Sequence, residues 1–232
     1  MTTRPTAHLG RTTWPDLYRA ARRPLIAVPV GSCEQHGPHL PLDTDTRIAI
    51  ALALSLAESF GEGEVLVSPP LGITASGEHQ SFPGTLSVGA EVLEQMVVEL
   101  VRSADWSAGV VLVNGHGGNH GPVYNAVRQL QTEQRKVLSW WPKIEGGDAH
   151  AGESETAMML ALAPELVRSE EAEVGNTAPL AELMGEIERG GVRAVSANGV
   201  LGDPRRATAA HGRTLLTKLS IDLVAAVDAW WE

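Results

Sequence analysis

The chain is poor in sulfur and aromatic chemistry: 232 residues hold one cysteine, two tyrosines and two phenylalanines. A single cysteine excludes an internal disulfide framework and fits a reducing compartment such as the cytoplasm. No apolar run reaches the ~18–20 residues of a membrane span. The longest candidate, Ile48 to Leu56, is short and is interrupted by Ser55. The opening residues Met1–Pro5 lack the apolar stretch of a secretory signal. Cations are also scarce, with 18 Lys and Arg against 28 Asp and Glu and a formal charge of -10. A general nucleic-acid binder needs Lys and Arg for phosphate, so that class is set aside. Apolar residues at 43% and charged residues at 20% are ordinary for a folded soluble chain and exclude a disordered one. Against these shortages stand eight histidines. Polar chemistry therefore stands out more than aromatic packing.

Strand and helix patterns alternate. Pro24 to Gly31, Glu64 to Leu71, Gly109 to Val113 and Lys136 to Trp141 read as strands. Helical spacing places helices at Asp45 to Phe60, Glu91 to Ser103 and Asn119 to Gln134, with Asp43 or Thr44 as a cap for the first. Gly72 to Val88 reads as a long loop. Further on, Glu153 to Leu162 and Leu180 to Arg189 read as helices, Gly190 to Leu201 as a short hairpin and Arg205 to Trp231 as a closing helix. The pattern predicts one α/β domain over 1–232, with a mostly parallel sheet covered on both faces. Ligands in such sheets bind beyond the carboxyl ends of the strands.

Three segments concentrate chemistry. After the first strand come Glu34, His36, Asp43 and Asp45; Glu34 and His36 are two apart and share a side in extended chain. They suit a divalent-metal site, but taken alone they fit a polar loop with a helix cap and a hydrogen-bonded histidine better. After the third strand comes Asn114-Gly115-His116-Gly117-Gly118-Asn119-His120. It departs from the G-x-G-x-x-G spacing and carries no P-loop Lys, so phosphate binding is a weak reading. The alternative is that its glycines let the backbone approach a metal site while His116 supplies a ligand. The third segment, Asp148 to Thr156, contains His150, Glu153 and Glu155 and also reads as a capped helix start. Only His, Glu and Asp are on offer. That donor set suits zinc, manganese or iron(II) and argues against iron–sulfur or structural zinc.

The segments GSCEQHGPHLPLDTD, NGHGGN and HAGESET, in this order and spacing, resemble the creatininase (creatinine amidohydrolase) family over nearly the whole chain. The resemblance implies a three-layer α/β/α sandwich, two divalent metal ions, amide hydrolysis and homo-oligomers, often hexamers. It assigns Glu34 and His36 to different metals, Asp45 as the bridge and His116 beside Glu34. Creatininase itself takes its last ligand from the position of Gly118. Members with NGHGGN use the acid of HAGE instead, which gives Glu153. Glu155 then orients a ligand or His150, and His150 donates a proton or steadies the oxyanion. The segments ITASGEHQSFPGT, GNTAPL, GGVRAVSANGVLGDP and ATAAHG resemble a subgroup, the mycofactocin-system peptidases. That subgroup implies a modified precursor peptide as substrate, with release of its C-terminal Val-Tyr-derived moiety by a metal-bridging hydroxide. The alternative within the family is hydrolysis of creatinine, a formamide or another small cyclic amide. Glu78 and His79 read as substrate-facing or, equally, as part of a purely structural loop. Cys33 reads as a small strand-end residue, not a nucleophile. His8 and His211 read as surface residues, and His39 and His120 as supporting or merely polar. Trp230 and Trp231 read as either an interface anchor or part of the chain's own core.

Overall fold

A computed structural model describes residues 7–231. The Met1–Pro5 segment, read above for a signal, lies outside the described residues. Four strands, β1 (Leu25–Val30), β2 (Val65–Val67), β3 (Gly109–Asn114) and β4 (Val137–Trp140), form an all-parallel sheet in the order β2-β1-β3-β4. The helices are α1 (Trp14–Arg19), α2 (Thr44–Ser59), α3 (Ala90–Ser103), α4 (His120–Thr132), α5 (Glu153–Leu162), α6 (Leu180–Gly190), α7 (Val192–Val195) and α8 (Ala209–Trp231). Among the described residues, no helix is long and apolar enough to cross a membrane.

Strand alternation explains the three layers. Leu25 and Ala27 of β1, with Val111 and Val113 of β3, meet Leu52 and Leu56 of α2, Met159 of α5 and Leu223 of α8. Ile26, Val28 and Val30 turn the other way, to Leu93, Val97 and Val101 of α3 and Val123 and Leu130 of α4. All six positions of β1 and of β3 are buried, which is why both read as continuous apolar runs. The chain moves outward from β1 to β2, then crosses back to β3 and on to β4. Direction therefore reverses between β1 and β3, whose register runs from Leu25↔Gly109 to Val30↔Asn114. The crevice at their carboxyl ends is where such folds bind ligands.

Several expectations change in detail. β2 stops at Val67, and Pro69-Pro70 has no N–H to extend the ladder. The loop from Gly72 to Val88 is pinned, since Leu86 N–H donates to Cys33 O at 2.8 Å and Val88 N–H to Thr74 O at 2.9 Å. Gly77–His79 forms a turn of 3-10 helix within it. The hairpin expected over Gly190 to Leu201 is not formed. Instead α6 runs to Gly190, Gly191 turns at φ 71, and α7 follows. Leu183, Ile187, Val192 and Leu201 bury one another in a small satellite core, which favours helix over strand there. The closing helix begins at Ala209, because Asp203 first caps a 3-10 turn at Pro204–Arg206. Trp231 packs on Phe60 with ring centres 5.5 Å apart, and both tryptophans lie against the chain's own core.

Candidate metal centre

The loop after β1 carries Glu34 and His36 to the crevice, both fully buried. Asp45 arrives from the first turn of α2 and His116 from the turn after β3, also buried. His116 Nδ1 lies 3.1 Å from Glu34 Oε1 and 3.2 Å from Asp45 Oδ2. His36 Nε2 lies 2.9 Å from Asp45 Oδ1 and 3.8 Å from Glu155 Oε2. The far nitrogen of each imidazole is tied to a carbonyl. His36 Nδ1–H donates to Glu34 O at 3.1 Å, and His116 Nε2–H to Ala75 O at 3.0 Å. This leaves the other nitrogen of each ring aimed at the carboxylates, an arrangement suited to metal ligation. Ser32 Oγ–H donates to Asp45 Oδ2 at 2.9 Å and steadies that carboxylate.

The backbone allows this convergence. A Cβ on Gly115 would sit 2.6 Å from Asp45 O, so only glycine lets the end of β3 approach α2 so closely. Asn119 donates to Gly31 O and to Asn114 Oδ1, each at 3.0 Å, and its Oδ1 accepts Ala75 N–H at 3.2 Å. One amide thus joins the ends of β1 and β3 to the loop after β2. A Cβ on Gly118 would overlap Glu78 Oε1 and His116 Nε2, so Glu78 occupies the place a side chain at 118 would take.

Electrostatics follow from crowded burial. Burial alone would lower His36, but the charge and hydrogen bond of Asp45 hold it up at about 10. Burial opposes His116 likewise, yet Glu34 and Asp45 hold it well above the usual imidazole range. Asp45 resists burial through His36 and His116 and stays well below the carboxylate range. Burial, then the Asp45 charge, pushes Glu155 up to about 7. Burial also lowers His79, to about 3, and His150.

The donor set fits divalent ions. Glu34, Asp45 and His116 form one compact group, His36, Asp45 and Glu155 a second, and Glu34, His36 and His150 a third, with ligand atoms in each within 4.8 Å. Both Glu34 carboxylate oxygens are buried; Oε2 has no hydrogen-bond partner, and Oε1 faces imidazole nitrogens, the nearest being His116 Nδ1 at 3.1 Å. A buried carboxylate left in that state is costly unless a cation accompanies it.

Glu153 is not brought to this cluster. Its Oε1 lies 3.1 Å from His211 Nδ1 on an exposed side of α5. The reason is helix phase: residues two apart on a helix differ by about 200°, so only one of Glu153 and Glu155 can face inward. Asp148 sets the phase by accepting the N–H groups of Glu153 and Ser154. Buried Ala151, at φ 51, then turns its N–H to Glu155 Oε2 at 2.6 Å. His211 is exposed as expected, while His8 is half-buried and pairs with Val67. His39 is buried, with Nε2 2.8 Å from Thr156 Oγ1, and His120 is exposed beside Trp141. Asp43 takes the cap position, but its side chain accepts from Arg47 instead, at 2.8 Å. Ser32, Gln35 and Asn119 were missed by sequence reasoning, since a lone hydroxyl or amide carries no spacing signal. Above the cluster opens a cleft of about 800 Å³, lined by Glu78, His79, His116 and His150 and by Leu180 and Met184 of α6.

Known proteins resemble this chain in sequence and in fold. A mycofactocin precursor peptide peptidase of Mycolicibacterium smegmatis is 47% identical over 96% of this chain and 91% of its own length. A protein of the same description from Mycobacterium tuberculosis H37Rv is 49% identical over 89% of this chain and 86% of its own length. Among solved structures, a mutant creatininase described as Zn-Zn type superposes with TM-score 0.79 at 24% identity, over 97% of this chain and 98% of that one. The creatininase (creatinine amidohydrolase) model matches residues 10–227, and the chain belongs to that family.

Proposed function

We propose that the chain is a metal-dependent peptidase that cleaves the mycofactocin precursor peptide and releases its C-terminal Val-Tyr-derived moiety. Similarity to the two mycobacterial peptidases over most of both chains supports the substrate. The observation that carries the metal dependence is Glu34, fully buried with Oε2 unpartnered and Oε1 facing imidazole nitrogens, beside a second carboxylate. Glu34, His36, Asp45 and His116 would hold two divalent ions of zinc, iron(II) or manganese, with Glu155 completing the set in place of Glu153. When bound, such ions polarise a carbonyl and lower the pKa of water toward about 7.

The chain's own groups do the rest. Asp45 offers one oxygen toward each histidine ligand, so it is the shared carboxylate. His150 Nδ1, 3.8 Å from Glu34 Oε1, takes up the proton that must reach the departing amine nitrogen. Glu78 and His79 flank the scissile amide on the cleft wall, and Leu180 and Met184 give the peptide an apolar surface. The reading includes a homo-oligomer, with a hexamer the form the family implies; its molar mass in solution tests this.

The deciding experiment incubates the metal-loaded protein with the modified precursor peptide and follows the C-terminal fragment by mass spectrometry. Release of the fragment is expected. No cleavage, together with hydrolysis of creatinine or a formamide, would overturn the reading.

A further inference from the structure

Gln35 belongs to none of the ligand groups, yet its side chain is buried between two histidines of the cleft. Its carboxamide orientation is determined by its partners. Gly37 N–H donates to Oε1 at 2.9 Å, so the other terminal atom is the nitrogen, with two protons. One of them goes to the Gly199 carbonyl oxygen, 3.1 Å away. Two imidazole nitrogens lie in reach of the second, His79 Nδ1 at 2.8 Å and His150 Nε2 at 3.0 Å.

The backbone resolves this competition. His150 Nε2 is 2.8 Å from the carbonyl oxygen of Gln35 itself. A carbonyl only accepts, so His150 Nε2 carries a proton and donates it there, leaving no lone pair for the amide. The second Gln35 proton therefore goes to His79 Nδ1, and the proton of His79 sits on Nε2. Gly199 shows that the pocket is closed around this amide, for a Cβ there would overlap Gln35 Oε1.

Both rings are thus Nε2–H tautomers, but they are turned oppositely. His79 points Nε2 at Glu34 Oε1, 3.5 Å away, whereas His150 points Nδ1 at the same atom, 3.8 Å away. One ring presents an N–H to the floor of the cleft and the other a lone pair. We infer that Gln35 is a positioning residue that fixes these two tautomers, making His79 the hydrogen-bond donor to the scissile carbonyl oxygen and His150 the proton acceptor. The oxyanion role expected of His150 passes to His79. This assignment of roles rests on the peptidase reading; the tautomers do not.

The test uses zinc-loaded protein with ¹⁵N-labelled histidine, observed by long-range ¹H–¹⁵N NMR. His79 in the wild type is expected to be protonated at Nε2 alone, and Gln35→Met to release it into a mixture of tautomers with metal content unchanged. On the precursor peptide, Gln35→Met should lower kcat while KM stays within about twofold. His79→Gln places an amide N–H near the Nε2 position and should keep much of kcat, whereas His79→Asn should lose about 100-fold, the usual loss for one oxyanion donor. A wild-type His79 protonated at Nδ1, a tautomer unmoved in Gln35→Met, or equal kcat in the two His79 variants would overturn the inference. Where Gln35→Met does not fold, the wild-type spectrum and the His79 pair decide. Should the wild type leave the peptide intact, the peptidase reading fails while the spectrum still judges the tautomers.

Discussion

The floor and the roof of the cleft are built on opposite principles. The floor is buried charge: Glu34, His36, Asp45 and His116 are held by strand ends, backbone carbonyls and the Asn119 amide. The roof is exposed apolar surface: Leu180 and Met184 are 43% and 41% exposed on a helix tied down by a small satellite core. Rigid burial suits groups that must meet an ion within tenths of an ångström. An amphipathic helix that shows Leu180 and Met184 to the cleft beside Glu188 and Arg189 suits groups that meet a varied substrate. On the proposed reading, the floor sets which bond chemistry is possible, and the roof sets which molecule is presented to it.

The sharpest way to break this division is Asp45→Ala. It removes the carboxylate shared by both histidine ligands, so metal analysis should show loss of ions and activity should fall by more than the roughly 100-fold typical of losing a supporting partner. Next come the two acids of α5. Glu155→Gln should deplete one metal and lower kcat about 10–100-fold, while Glu153→Gln should keep both ions and most activity. Equal depletion in the two would refute the helix-phase argument. Acid should act on the floor alone. Without metals His36 titrates at about 10 and His116 well above the imidazole range, so both carry protons at neutral pH. Ligation expels them, so affinity should weaken as pH falls, by roughly tenfold per pH unit for each proton released. Calorimetry in buffers of different ionisation enthalpy counts those protons. On the roof, Met184→Lys should raise KM about tenfold with metal content and kcat nearly unchanged, since one apolar contact is worth about 1–3 kcal/mol. Smallest of all, Cys33→Ser should keep most activity; an inactive, fully loaded variant would restore Cys33 as a candidate nucleophile.

Much of the floor was legible in the sequence because each candidate ligand sits beside a strand whose apolar run is unmistakable. β1 and β3 place Glu34, His36 and His116 at one edge once the sheet is parallel, and Asp45 follows from the start of α2. What was not legible depended on phase or on single amides. Glu153 and Glu155 share a first turn, and choosing between them requires knowing that Asp148 caps the helix and that Ala151 turns left-handed. Gln35 lies between two metal-binding candidates, yet the partners of its amide nitrogen come from residues 44 to 164 positions away. The hairpin expected over Gly190 to Leu201 failed for a related reason: Val192 looks like a strand residue until Leu183 and Ile187 are known to cover it.

The packing of Glu78 against Gly118 has a consequence for sequence change. Position 118 can hold a side chain only if the carboxylate of residue 78 moves away and the His116 ring and the Ala75 carbonyl also give way, because a Cβ there would lie within 2.6 Å of all three. An acid at that spot can be delivered from the turn after β3 or from the loop after β2, but not from both. The two positions should therefore vary as alternatives: a chain that gains a glutamate at 118 must surrender or redirect Glu78, and repairing one without the other should leave His116 crowded or its neighbour missing.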